Sequence, residues 1–258
     1  MSWASRRQTN YLLGFIGILI LIVFLFASKL IFKKPTCQDG KQNGTETGID
    51  CGGSCALMCK EDVQEPVILW SRAFPVVNNS FNLVAYVENR NKNSAVREAN
   101  YEFRIYDSNN KLLGRREGKT FIPPNQQFAV FEPRFDAGES ELKSVVFEFI
   151  APIVWVKKIP TSQSQPIFVK DIFFDDDKDT PRLSATVINN SIYDLPEFDI
   201  IAILYDLDNN AINASASHKE KLLNNSSTPV TFTWPEVLSA HPITKDVLIS
   251  INPFTISF

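Results

Sequence analysis

The first pattern along the chain is an apolar run from Tyr11 to Phe32, interrupted only by Lys29. As a helix it would be roughly 33 Å long, enough to cross the hydrocarbon core of a bilayer. No small-residue cleavage pattern follows it, since Lys33, Lys34 and Pro35 come next. The pattern therefore predicts an uncleaved signal anchor at 11–32 in a single-pass cell-membrane protein, with a cytoplasmic tail at 1–10.

Beyond residue 60 the pattern changes to short alternating runs rich in Phe, Val and Ile and bounded by Asn, Asp, Gly and Pro, which is typical of β-strands. These runs repeat. "NLVAYVEN" at 82–89 parallels "RLSATVIN" at 182–189, and "YEFRIYDSNNKLL" at 101–113 parallels "DIIAILYDLDNNAI" at 199–212. The offset stays at about 100 residues through each matched strand, which indicates a duplicated unit.

Several short strands separated by turns favour a β-sandwich over a barrel or a parallel sheet. The predicted fold class is all-β, with two tandem immunoglobulin-like β-sandwich domains behind one N-terminal transmembrane helix. The predicted domain boundaries are 64–157 and 166–258, with a polar linker at 158–165. Alternation places Leu83, Ala85 and Val87 inward, and Asn109-Asn110 and Asn209-Asn210 at hairpin turns.

The net charge of the chain beyond the apolar run limits the classes of partner that it can bind. The first 34 residues hold five basic and no acidic side chains, so the remainder carries 26 − 5 = 21 basic against 29 acidic residues, a net charge of −8. An acidic segment of this size is a poor ligand for nucleic acid. Apart from the lipid bilayer around 11–32, the expected partners are other envelope or surface proteins.

The cysteines decide the orientation, because basic residues on the two sides of the apolar run balance each other. All four, Cys37, Cys51, Cys55 and Cys59, lie within 23 residues of a Gly-, Asn- and Thr-rich stretch. Such clusters are typical of disulfide-stapled modules in oxidising compartments, so residues 35–258 are predicted to be extracytoplasmic. The predicted cysteine-rich module is 37–60, with two disulfides whose pairing stays open among three possibilities. A four-thiolate zinc site is the alternative.

The cysteine stretch resembles a short motif of exported proteins, C-x-D-G-x-x-N-x-x-E-x-x-x-D-C-G-G-x-C. The matching residues between the cysteines are Asp39, Gly40, Asn43, Glu46, Asp50, Gly52 and Gly53. The resemblance implies a secreted, cysteine-stapled module without catalytic residues. Four of the matched residues, Asp39, Asn43, Glu46 and Asp50, also carry side-chain oxygens of the kind that binds calcium. Ordinary turn formation explains the same residues, and no other cofactor is predicted.

The strand "FRIYD", with Phe103, Ile105, Tyr106 and Asp107, resembles that of the FxLYD family of small exported β-sandwich domains. The second copy reads Ala202, Leu204, Tyr205 and Asp206 at the same positions, so it lacks the phenylalanine. Because the family shares no catalytic set, the resemblance implies binding or scaffolding modules with an open choice of ligand.

Candidate chemistry is otherwise sparse. The two histidines, His218 and His241, lie in polar stretches without a recognisable nucleophile motif. The acidic run "DDDKD" at 175–179 is typical of a solvated turn, and a contact with a divalent cation or a basic partner is the alternative. The expected function is a non-enzymatic, membrane-anchored binding or scaffold protein of the cell envelope. A calcium-dependent ectodomain or sensor is the alternative, and a hydrolase is the third possibility.

Overall fold

The computed structural model describes residues 3–31, 34–150, 152–159, 167–175 and 180–255. The chain divides into two compact units, Met1–Cys55 and Ala56–Phe258. The first unit contains helix α1, Trp3–Ile31. The helix thus includes residues 3–10 of the predicted tail, a stretch that contains no proline or glycine. The stretch Asn10–Ala27 is long and apolar enough to cross a membrane.

Two antiparallel sheets form a first β-sandwich after a 3-10 turn at Lys60–Asp62. One sheet has the order β1-β2-β5, and the other has the order β4-β3-β6, with β7 also paired to β3. The strands are β1 (Val67–Pro75), β2 (Ser80–Asn89), β3 (Ser94–Asp107), β4 (Leu112–Ile122), β5 (Gln126–Asp136), β6 (Leu142–Ile150) and β7 (Trp155–Lys157).

A second pair of antiparallel sheets follows, with the orders β8-β9-β12 and β11-β10-β13. The strands are β8 (Ile167–Asp175), β9 (Arg182–Asn189), β10 (Phe198–Tyr205), β11 (Ala211–Lys219), β12 (Ser226–Thr233) and β13 (Thr244–Ser250). The predicted all-β fold with tandem sandwiches is confirmed. Strand for strand, the second order repeats the first, although descent from one duplicated unit stays a prediction.

Each sandwich has its own hydrophobic core between its two sheets. Leu83, Ala85 and Val87 are buried inside the first sandwich, as their alternation predicts, and Phe103 and Ile105 face them from β3. The second core contains Leu183, Ala185, Val187, Leu204, Phe232 and Trp234. Burial of side chains of this size stabilises a domain by roughly 1.5–3 kcal/mol each, so each core is substantial.

A third apolar cluster joins the two sandwiches. Phe74, Val84 and Ala129 from the sheet β1-β2-β5 pack against Ile201, Ile203 and Tyr205 of β10. Arg72 donates a hydrogen bond from Nη1 to the carbonyl of Ala211 at 2.7 Å, and Asn82 donates to the carbonyl of Ala214 at 3.3 Å. The two sandwiches therefore form one packed body. Residues 160–165 of the predicted linker lie outside the described residues.

The same aspartate closes an equivalent hairpin in each sandwich. Asp107 Oδ1 accepts hydrogen bonds from the backbone N–H groups of Asn109 and Lys111, at 2.8 and 2.9 Å. Asp206 Oδ1 does the same for Asp208 and Asn210, at 2.9 and 2.8 Å. The turns also need a left-handed residue, which is Asn110 in the first hairpin and Asn209 in the second, with φ of 60° and 59°. The conformational tolerance of asparagine explains this choice.

We expect Asp206→Ala to lower the free energy of unfolding by about 1 kcal/mol, because two turn amides lose their acceptor but regain water. Denaturant melting of the full chain in detergent measures this loss. Asp208→Ala is the matched control, since its side chain lies in the same exposed turn. Equal stability of the two variants would contradict the role assigned to Asp206.

Candidate functional site

The cysteine stretch forms two disulfides. Cys37 bonds to Cys55 across 18 residues, with a Cα–Cα distance of 5.7 Å. Cys51 pairs with Cys59, and no free cysteine is present among the described residues, which include all four. The structure thus contains two disulfides, as the sequence predicts, and selects one of the three pairings. It gives no support to the zinc alternative, because a metal site would need four thiolates.

The acidic side chains of this stretch hold its turns. Asp50 accepts hydrogen bonds from the backbone N–H groups of Asp39 and Gly40 at 3.0 to 3.1 Å. Asp39 accepts one from the N–H of Lys41 at 3.0 Å, and Glu46 accepts one from the N–H of Asn43 at 3.1 Å. Three of the four predicted calcium ligands therefore already bind backbone donors, which is the turn chemistry weighed against calcium.

One oxygen in this loop lacks a donor. Asn43 donates from Nδ2 to Asp39 at 2.9 Å, and this bond lowers the pKa of the Asp39 carboxyl below its usual value. The other amide atom, Asn43 Oδ1, is buried without a hydrogen-bond partner in the described part of the chain. Among the described residues, the compact metal-ligand group is Cys37, Glu46 and Cys55, of which both cysteines are disulfide-bonded. Calcium binding stays a prediction.

The histidines are separated in the second sandwich. His218 on β11 pairs with Asp199 on the neighbouring β10, with Nδ1 and Oδ1 2.8 Å apart and both side chains exposed. The ring of His241 lies 6.5 Å from that of Phe174. The acidic run lies at the end of β8, where Asp175 is described and 176–179 lie outside the described residues. The described residues around these groups do not assemble a catalytic constellation.

The pairing of His218 with Asp199 should be detectable in the titration of the histidine. The hydrogen bond to Asp199 raises the pKa of His218 above its usual value of 6.5, and the charges of Asp199, Glu197 and Glu220 act in the same direction. Any stabilisation from the pair is therefore complete below pH 6.5 and is lost as the pH rises through the folded-state pKa. We expect Asp199→Asn to lower the His218 pKa in an NMR titration, and an unchanged midpoint would contradict the pairing.

The three tryptophans beyond the cysteine stretch, Trp70, Trp155 and Trp234, lie in the two cores and at the contact between the sandwiches. Trp155 and Trp234 are buried in the first and second core. Trp70 lies at the contact between the sandwiches, where its ring stacks on Tyr86 with centroids 5.4 Å apart. These rings serve packing and are not grouped as a ligand platform.

The least expected polar groups are two buried asparagines at equivalent strand ends. Asn189 closes β9 and donates from Nδ2 to the carbonyls of Tyr193, Leu222 and Leu223, at 2.9, 3.3 and 3.0 Å. Its Oδ1 accepts from the N–H and hydroxyl groups of Ser191. Asn189 therefore ties the β9–β10 loop to the β11–β12 loop.

Asn89 has the same position at the end of β2. Its Nδ2 donates to the carbonyls of Ser94 and Pro123, at 3.0 and 2.7 Å, and its Oδ1 accepts from the N–H of Asn91. The internal repeat aligns Asn89 with Asn189, yet a strand-end asparagine alone predicts only a turn. The signal available in the sequence was that asparagine recurs at this position in both repeats. The burial of both side chains shows that the two asparagines have a structural role.

Comparison with known proteins identifies no family. No protein-family model and no curated protein matches the chain. Among solved structures, a red sea bream transglutaminase is 11% identical over 73% of this chain and 31% of its own, with a TM-score of 0.26. Dimeric latent PorU from Porphyromonas gingivalis is 11% identical over 77% of this chain and 21% of its own, with a TM-score of 0.21.

A third structure similar to this chain belongs to a complex of a chaperone and a tip adhesin in CFA/I fimbriae biogenesis. It is 10% identical and covers 70% of this chain and 98% of its own, with a TM-score of 0.20. The chain spans less than a third of the transglutaminase and of PorU. Scores this low carry no argument about function, so the function is inferred from the geometry of the chain itself.

Proposed function

We propose that this chain is a single-pass membrane protein whose residues 35–258 are extracytoplasmic and act as a non-enzymatic binding or scaffold module of the cell envelope. The observation that carries the proposal is the order of three features. An apolar helix long enough to cross a bilayer comes first, a loop with two disulfides follows it, and two sandwiches packed on each other come after the loop. Disulfides persist outside the cytoplasm, which gives the helix its direction.

The sandwiches support a scaffold through their packing. Cluster residues such as Val84 and Ile203 are fully buried between them, and the Arg72 guanidinium is fixed on a carbonyl of the other sandwich. Two modules joined in this way present their outer loops in a constant arrangement, whereas modules on a flexible tether would not. The proposal also includes FxLYD-like modules, because the aspartate of that motif closes both hairpins.

Protease protection tests the proposed topology. The full chain, with an epitope tag after residue 258, is produced in cells whose outer barrier has been removed, and protease is then added. We expect the tag to be degraded while a fragment containing the apolar helix survives. Lysed cells provide the control for protease activity. Protection of the tag in these cells before lysis, with degradation after lysis, would contradict the extracytoplasmic placement.

Calcium-dependent binding is the second candidate, and the unpartnered Asn43 Oδ1 favours it. This oxygen lies in a loop with the carboxylates of Asp39 and Glu46, which are suitable ligands for a hard cation. Titration calorimetry of the full chain in detergent tests this candidate. Saturable heat that disappears in Asn43→Ala but persists in Asn79→Ala would support it, and absence of heat in the unmutated chain would exclude it.

A further inference from the structure

The sheet β8-β9-β12 of the second sandwich has an outer face that is open to solvent. Leu183, Ala185 and Val187 point into the core, so the residues between them on β9 point outward. Cross-strand pairing extends this outward set to β8 and β12. Its main uncharged members are half-buried or exposed, and we call them the neutral face: Phe168, Phe173, Thr186, Ile188, Pro229 and Thr231.

Charged side chains are confined to the margin of this sheet. Those of its three strands are Lys170, Asp171 and Asp175 on the edge strand β8, and Arg182 at the first position of β9. The remainder of β9 and the whole of β12 carry no charge. Depletion of charged residues is characteristic of the core of a protein–protein interface. The composition of the neutral face therefore indicates a contact surface.

A bulge in β8 turns an aromatic side chain toward the neutral face. Between Lys170 and Phe173, β8 contains one residue more than the paired part of β9, and Asp171 in this bulge has a left-handed φ of 54°. The extra residue directs Phe173 outward, where it is 66% exposed, and Phe174 into the core. The bulge also interrupts the edge of β8, which disfavours pairing with a further strand. The available surface is therefore the face of the sheet and not its edge.

The open face of the first sandwich has the opposite character. On the sheet β4-β3-β6, Arg104 forms ion pairs with Glu102 and Glu148, and Arg115 forms one with Glu102. A partner that covered this sheet would remove water from these charges, and that desolvation costs several kcal/mol per ion. The charged face is therefore suited to contact with solvent, whereas the neutral face can be covered without this cost.

The equivalent sheet of the first sandwich already forms an interface. It is β1-β2-β5, whose outer face packs on the sheet β11-β10-β13 through Phe74, Val84 and Ala129. These two outer faces cover each other within one chain, and the outer face of β4-β3-β6 is charged. Among the described sheets, the face that a second copy can offer without burying charges is therefore its own neutral face.

We propose that two copies of this chain associate through their neutral faces in a two-fold symmetric contact. Because both copies use the same face, the contact closes at a dimer and does not continue into a filament. Strands β9 and β12 contain eight residues each, so the three-stranded face measures roughly 14 by 26 Å. This area is small for a specific interface, so the dimer is expected to be reversible. The inference goes beyond the proposed scaffold role and does not depend on the side of a membrane on which the sandwiches lie.

Photo-cross-linking of the purified full chain in detergent tests this dimer. The photoreactive residue p-benzoylphenylalanine replaces Phe173 in one sample and Val146, which is exposed on the charged face, in the control. Since no other protein is present, a cross-linked species of twice the chain mass identifies a second copy as the occupant. We expect this species from position 173, with the attachment in β8, β9 or β12 of the other copy, and a trace of it from position 146.

A charge placed on the neutral face should weaken the contact. We expect Thr231→Asp to lower the cross-linking yield from position 173 by at least about tenfold, because two carboxylates would then have to lose their water. Val146→Asp is the matched control and should leave that yield unchanged. Thr231 is exposed, so the denaturant melting of Thr231→Asp should match that of the unmutated chain. A large loss of stability would contradict the open face on which the inference rests.

Three results would overturn the dimer. They are equal yields from positions 173 and 146, attachment outside the sheet β8-β9-β12, and a yield that Thr231→Asp does not change. Absence of a species of twice the chain mass would also overturn it, even if position 173 captured a different protein in cells. Protease protection reports on the topology and not on the neutral face, so the dimer and the proposed extracytoplasmic placement can fail independently.

Discussion

Replacing Ile203 with aspartate is expected to lower the free energy of unfolding by more than about 4 kcal/mol. Ile203 is fully buried in the cluster between the sandwiches. A carboxylate there loses its water, and its cross-strand neighbour is Asp246 on β13, which adds like-charge repulsion. Denaturant melting of the full chain measures the loss. We expect a lower midpoint concentration of denaturant with an unchanged slope of the unfolding free energy against denaturant concentration.

Val146→Asp is the matched control for this prediction. Val146 lies on the outward face of β6 and is 42% exposed, and its cross-strand neighbour is Arg104. The new carboxylate would remain hydrated beside a guanidinium, so we expect a change within about 0.5 kcal/mol. A loss of similar size in both variants would show that Ile203 is not covered by the first sandwich.

The same cluster affects what the two halves do when they are separated. Residues 62–160 and 164–258 each contain the core of one sandwich, so we expect each half to fold when it is produced alone. Separation would expose Val84 and Ala129 on one half and Ile201 and Ile203 on the other. We therefore expect the halves to bind each other in solution, and Ile203→Asp to abolish that binding, as gel filtration of the mixture would show.

Replacing Asn189 with alanine is expected to lower the free energy of unfolding by about 3 kcal/mol. Its side chain is fully buried and bonds to three carbonyls through Nδ2 and to Ser191 through Oδ1. Alanine leaves these groups in a site that water does not reach. Because the same bonds tie the β9–β10 loop to the β11–β12 loop, hydrogen exchange of both loops should also become faster.

Asn190→Ala provides the comparison for Asn189. Asn190 is the next residue in the chain and its side chain is exposed, so its removal should change stability by no more than about 0.5 kcal/mol. Identical melting of the two variants would contradict the role assigned to Asn189. The equivalent change Asn89→Ala should destabilise the first sandwich, but less, because Asn89 Nδ2 bonds to two carbonyls and not three.

The contrast between β3 and β10 shows what a sequence pattern could have revealed. Both strands occupy the middle of equivalent sheets, and "YEFRIYD" alternates whereas "DIIAILYD" is continuously apolar. A continuous apolar run indicates burial on both faces. It therefore predicts that the outer face of β10 is covered, as it is by the first sandwich. Matching the two strands as repeats obscured this difference.

The cysteine loop shows the limit of spacing as evidence. Four cysteines in an export-like stretch indicate two disulfides, but their pairing depends on the path of the loop. Asp50 binds the amides of Asp39 and Gly40, which fold the loop back on itself. The path of the loop also decides whether an acidic side chain caps a turn or binds an ion, because it sets which backbone N–H groups lie within hydrogen-bond distance of the carboxylate.

The sequence by itself determined the N-terminal apolar helix, the β-strands, their tandem arrangement and the inward residues, because each of these follows from the pattern of neighbouring side chains. Tertiary structure alone decided the disulfide pairing, the packing of one sandwich on the other and the hydrogen-bond partners of Asn189. Those features join residues far apart in the chain, such as Arg72 with Ala211 or Asn189 with Leu223. Such contacts form only when the sheets bring distant segments together, so no local pattern specifies them.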